Sequence, residues 1–134
     1  MRFLAIALAA GLALAQTYQS VATPKHIMAG IQKPTMDGLA AMNKAGGPKD
    51  DKEWQIAEQG AAVLAETAQL LLMGDRPKDQ DVWVKSSQRL HQAATGSAKA
   101  AAAKDLEAWK GSMGQMGGAC RSCHNVHRKD KDKK

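Results

Sequence analysis

Aromatic side chains are scarce in this chain, with three Trp, one Tyr and one Phe among 134 residues. No aromatics are interleaved with its basic residues, so a stacking surface for nucleic acid is missing. Cysteine is nearly absent as well: Cys120 and Cys123 are the only two, and any thiol chemistry is confined to one place. No internal repeat occurs at a solenoid period. No paired carboxylates or nucleophile triad can be placed with any geometry, which leaves catalysis without candidate residues and argues against an enzyme. The one sustained apolar run, Phe3 to Ala15, is shorter than the roughly 20 residues that a membrane-spanning helix needs.

That run follows Met1-Arg2 and ends in Ala13-Leu14-Ala15. A positive start, a short apolar centre and a small-residue exit make a secretory signal peptide over residues 1–15, and the mature chain is expected to begin near Gln16. Residues 16–134 suffice for a single domain. Without Arg2 there are 18 basic and 13 acidic residues, a net +5 that favours acidic partners. Much of this charge lies in Arg128-Lys129-Asp130-Lys131-Asp132-Lys133-Lys134, whose alternating signs read as a solvated, frayed end.

The most specific stretch is Cys120-Arg121-Ser122-Cys123-His124, which reads C-x-x-C-H, the attachment sequence for c-type haem. Each thiol can add to one vinyl group, and the adjacent imidazole then becomes an axial ligand of the iron. Two other readings use the same residues. A redox dithiol of thioredoxin type would follow a strand of a βαβ unit, and no such unit is visible. A zinc site from Cys120, Cys123, His124 and His127 has suitable ligands, but one helix is an awkward source for a tetrahedral set.

The pattern predicts four helices. Thr23 is placed to cap the first and Pro24 to open it; Met28, Ile31, Thr35, Leu39 and Met42 mark its apolar face, with a kink expected at Pro34 before Gly46-Gly47-Pro48 ends it. Asp50-Asp51 opens the second, striped by Ala57, Ala61, Leu64, Ala68 and Leu71 and stopped by Gly74-Asp75-Arg76-Pro77. The third begins near Asp79 or Asp81, turns Val82, Trp83, Ser86, Leu90 and Ala94 inward, and becomes alanine-rich over 98–103. Asp105 starts the fourth, in which Leu106, Trp109, Met113, Met116, Cys120, Cys123 and His127 form a continuous seam. Short connections imply an all-α fold, an antiparallel up-down-up-down four-helix bundle, with the thiols on its buried side. A buried haem would also supply the core volume that the few aromatics do not.

In such a bundle the start of helix 1 and the end of helix 2 share the end that holds His124. Met42 and Met36 lie about 21 Å and about 12 Å beyond Met28 along helix 1, too far from that end, and Met113 and Met116 share the helix of His124. Met28 is the favoured sixth ligand, on the apolar stripe, and Met73 and His26 remain as alternatives. A packing role for Met28 with five-coordinate iron also stays open. His91, mid-helix, reads as a surface or satisfied histidine.

With these features the mature chain resembles the class II c-type cytochromes, which include cytochrome c prime and its low-spin, methionine-ligated relatives. The helical layout, the C-terminal Cys120-x-x-Cys123-His124 and the basic Arg128 carry the resemblance, and Trp54, Leu64-Ala65-Glu66, Leu70-Leu71-Leu72-Met73 and Trp83 add to it. It implies one covalent haem c bound by Cys120 and Cys123, with His124 as proximal ligand. It places Met28 where low-spin members hold methionine and five-coordinate members a bulky non-ligand. Arg128 matches a basic residue near the proximal side, whereas His127 departs from the usual Phe or Tyr and is a candidate to meet a propionate or tune His124. The implied function is a periplasmic electron carrier serving redox partner proteins, or alternatively a binder of nitric oxide or carbon monoxide. A chain dedicated to one oxidoreductase is a third reading. Members often dimerise through helices 1 and 2, which makes a homodimer an expectation.

Overall fold

The computed structural model describes residues 19–128, and the regular elements among them are all helices. Helix α1 is made of three abutting pieces: Pro24–Ile27, a π-helical turn Met28–Gln32, and Lys33–Lys44. Helices α2, α3 and α4 span Asp51–Leu70, Val82–Ala102 and Leu106–His127. The expected signal peptide and the tail from Lys129 onward lie outside the described residues.

Side chains of the expected type hold three of the four helix starts. Thr23 Oγ1 accepts the His26 N–H and His26 Nδ1 accepts the Thr23 N–H, a reciprocal box in front of Pro24. Asp50 Oδ1 accepts the Glu53 N–H at 2.8 Å, and Asp105 Oδ1 the Ala108 N–H at 3.0 Å. At α3 the work falls to Asp79, outside the helix, whose Oδ1 accepts the N–H groups of both Asp81 and Trp83.

Pro34 acts differently from a simple kink. It has no N–H for the Gly30 carbonyl four residues back, and its ring crowds that carbonyl. The helix widens in the preceding turn, where the Lys33 N–H bonds to Met28 O, five residues back. An extra residue in one turn rotates everything upstream by about 100°. The expected face therefore changes ahead of Pro34: Ile31 is 38% exposed and Met28 only half-buried, while Ile27 and Gln32 point inward. Beyond the proline Leu39 is buried as its spacing predicts.

Helices α2 and α3 lie close along their lengths, as do α3 and α4, whereas α1 touches α2 and α4 far more sparingly. Small side chains contribute to the close approach of α2 and α3: Ala57, Ala61, Ala65 and Ala68 of α2 and Ala93, Ala94, Ala100 and Ala101 of α3 are all buried, and small side chains let helix axes approach. Larger groups, Leu39, Leu64, Leu90, Trp109, Met113 and Met116, fill the main cluster beside them. A smaller cluster of Ile27, Leu71, Trp83 and Cys123 forms separately.

Long-range polar contacts tie the layers together. Lys104 Nζ meets Asp51 Oδ1 at 2.8 Å, and the buried Gln32 donates to Thr67 Oγ1 at 3.4 Å. His91 Nδ1 lies 3.0 Å from Ala65 O, which makes it a satisfied histidine between α2 and α3. Gly47 lets the chain pass under α4: its φ is +102°, and a Cβ there would fall 2.3 Å from Leu106 Cδ1.

Leu64 has no exposed surface, whereas its neighbour Val63 is 43% exposed. Leu64→Ala is expected to lower the unfolding free energy by about 2–5 kcal/mol and Val63→Ala by no more than about 0.5 kcal/mol, read from urea denaturation.

Candidate functional site

The last two turns of α4 carry both cysteines and two histidines, and the seam periodicity decides how they face. Cys123 is 8% exposed and packs with Ile27, Leu71 and Trp83, around which Ala22, Met28, Leu70 and Leu72 gather. Cys120, one turn earlier, is half-buried against the main cluster. Both are free thiols. Burial pushes the Cys120 thiol up, with Arg121 opposing it; burial, then Asp79 and Cys120, push up Cys123. Disulfide exchange and zinc ligation both use thiolate, which this setting disfavours. A thioether carries no charge and suits it.

His124 is half-buried beside Cys123. Burial, and after it the Arg128 charge, lower its pKa, which favours the neutral imidazole that can ligate a metal. Arg128 closes the helix by donating its N–H to His124 O at 3.0 Å and is itself exposed.

His127 turns toward the α2–α3 connection. Its Nε2 lies 2.6 Å from Asp79 Oδ2, and its ring meets Trp83 edge-on at 5.4 Å between centroids. Trp83 in turn donates Nε1–H to Leu71 O at 2.9 Å. Among the described residues no three or more His, Cys, Asp or Glu side chains converge as a metal-ion site, so the four side chains of the zinc reading are not gathered.

The candidate sixth ligands are separated by their surroundings. Met28 begins the π turn and packs against the cluster that holds Cys123. Met73, past the end of α2, is 36% exposed, and the exposed His26 is occupied in the cap of α1. Met36 and Met42 pack on the main cluster, in which Met113 and Met116 are buried.

Two residues of the connection matter beyond what their sequence positions suggest. Arg76, read from sequence only as part of a turn, is 7% exposed; its Nε donates to Ala22 O at 3.0 Å and its Nη1 to Leu70 O at 2.8 Å. Asp79, read as a helix start, also contacts α4. A lone cation or carboxylate in a polar turn carries no periodic signal of its long-range partner, so nothing in the pattern could have singled these out.

Two free thiols one turn apart on a buried seam, an imidazole next to the second whose neutral form is favoured, and an apolar cluster of Ile27, Leu71 and Trp83 fit a haem bonded through both sulfurs.

Burial works to raise the Asp79 carboxyl, but the N–H groups of Trp83 and Asp81, followed by His127, outweigh it and hold the pKa below the usual carboxylate value. A depressed folded pKa contributes stability above the unfolded value, about 3.9, that is lost as pH falls through the folded value. Asp79→Asn is therefore expected to melt below wild type at neutral pH, with the gap closing only below about pH 4. Thermal melts across pH measure this. Compared with known proteins, the chain matches no family model, no curated protein and no solved structure.

Proposed function

We propose that this chain is an exported c-type cytochrome of the class II kind, an electron carrier with one covalent haem. The observation that carries the reading is the placement of Cys120-x-x-Cys123-His124 on α4: both sulfurs lie on the buried seam, Met28 of α1 packs on the cluster around the second, and the imidazole beside it favours the neutral form. Cys120 and Cys123 would hold the group through two thioether bonds, each S–H adding across one vinyl group with the sulfur on one carbon and the hydrogen on the other. His124 would offer the iron an imidazole nitrogen and Met28 a thioether sulfur. The haem supplies an iron that takes up and releases one electron.

The helices are inferred to alternate in direction as an up-down-up-down bundle, which the Lys104–Asp51 contact between the end of α3 and the start of α2 supports. The Gln32–Thr67 hydrogen bond, joining the early part of α1 to the late part of α2, supports it too. The sparse packing of α1 is where a flat group between α1 and α4 would be taken up. Thioether ligation favours ferrous iron and raises the potential relative to two histidines, and a ligand set that is the same in both oxidation states keeps reorganisation small. The role of the chain is to hold, tune and present the group to a redox partner outside the cytoplasm; the signal-peptide pattern in the sequence of residues 1–15 supports that location. No helix among the described residues is long and apolar enough to cross a membrane.

A second reading, a five-coordinate binder of nitric oxide or carbon monoxide, draws on the packing of Met28 against the cluster around Cys123, since a methionine that serves as core filling need not ligate iron. Absorption spectra of the holoprotein, oxidised and reduced, with and without carbon monoxide, separate the two. Electron carriage predicts a low-spin spectrum with the far-red methionine-to-iron charge-transfer band, indifferent to carbon monoxide. In Met28→Ala the band is lost and carbon monoxide binds. A high-spin wild-type spectrum that shifts with carbon monoxide rejects Met28 ligation in favour of gas binding.

A further inference from the structure

We infer that Arg76 is the anchor for a haem propionate. The inference rests on the haem reading of Cys120 and Cys123 and begins from an anomaly in charge. Arg76 is 7% exposed, yet among the described residues no carboxylate lies within ion-pair distance of it. Arginine stays protonated in proteins, and an ionic group removed from water is costly unless an anion or a full set of hydrogen bonds compensates it. Two backbone carbonyls compensate in part: Nε–H is accepted by Ala22 O and an Nη1–H by Leu70 O. Those bonds hold the segment before α1 to the end of α2 and complement the negative end of the α2 dipole. A guanidinium has five N–H donors, however; Nη2 donates to no described residue and is not among the buried atoms left without a partner, so it stays open to a ligand from outside.

The place of Arg76 points to the anion that the open Nη2 would take. Ala22 and Leu70, whose carbonyls fix its plane, both pack against the cluster of Ile27, Leu71, Trp83 and Cys123. Arg76 therefore sits at the rim of the apolar floor to which the second thioether sulfur belongs. Haem is amphipathic: its ring requires an apolar floor, and its two carboxylates require cations or water at the edge. A planar fork already oriented by two carbonyls suits a carboxylate, and its ordering cost is met before the ligand arrives. His127, the candidate for this role from sequence, is occupied by Asp79. Arg128, the other cation nearby in sequence, is exposed.

Resonance Raman spectra and midpoint potentials of the holoprotein, for wild type, Arg76→Gln, Arg76→Lys and Lys99→Gln, test the assignment. Lys99 is exposed in the last turn of α3, so its variant makes the same charge change at the end of the helix away from Cys120 to His124. Arg76→Gln is expected to shift the propionate bending bands and lower the potential, because a cation lost beside the carboxylate favours ferric iron. Arg76→Lys moves the bands less and holds the potential nearer wild type, and Lys99→Gln moves neither. Propionate bands that superimpose in Arg76→Gln and wild type overturn the assignment, even where melting falls, since Arg76 would then serve only Ala22 and α2. Should Arg76→Gln fail to fold, unshifted bands in Arg76→Lys overturn it equally. A wild-type chain without covalent haem overturns both this assignment and the reading beneath it, and is told apart by the absence of any haem band.

Discussion

The burial of one face of α4 along its whole length is the constraint on which the rest of the structure depends. Trp109, Met113 and Met116 carry that face into the main cluster, and Cys123 continues it into the smaller one. A helical stripe must be covered by other elements over all of its turns, and so the two sulfurs are drawn inward by the same force that packs the methionines. The site is thus the continuation of the core. At the end that carries Cys123 the cover comes from Ile27, Leu71 and Trp83, each from a different helix or its edge, and Asp79 and Arg76 hold those edges in place.

Small and large side chains divide the labour. Buried alanines let α2 and α3 come together closely, at little cost in side-chain entropy, but they contribute little apolar area each. Trp109, Met113 and Met116 of α4 supply larger groups to the same cluster, and the loosely packed helix is α1. A chain so poor in aromatics gains its missing apolar volume there if a haem is built in, which connects the composition to the proposed cofactor.

Much of this was legible in the sequence because it is periodic or local. Thr23-Pro24, Asp50 and Asp105 mark helix starts through hydrogen bonds that span three residues, and the stripe of α2 and the seam of α4 repeat at helical spacing. Cys120-x-x-Cys123-His124 carries its chemistry in consecutive residues. What was not legible breaks the period or spans the fold. The π turn ahead of Pro34 turned Ile27 and Gln32 inward in place of Ile31, since a pattern read at constant pitch cannot register an inserted residue. The burial of Arg76 and the approach of Asp79 to His127 depend on partners more than 45 positions away, through a turn whose polar composition looks like that of any exposed connection.

The intact mass of the protein exported by a host that assembles c-type cytochromes tests the account most directly. The expected result is the mass of the mature chain plus one haem, resistant to acid-acetone extraction, with all of the added mass on the peptide that contains Cys120 to His124. A bare chain mass, or haem that acid-acetone removes, would contradict it.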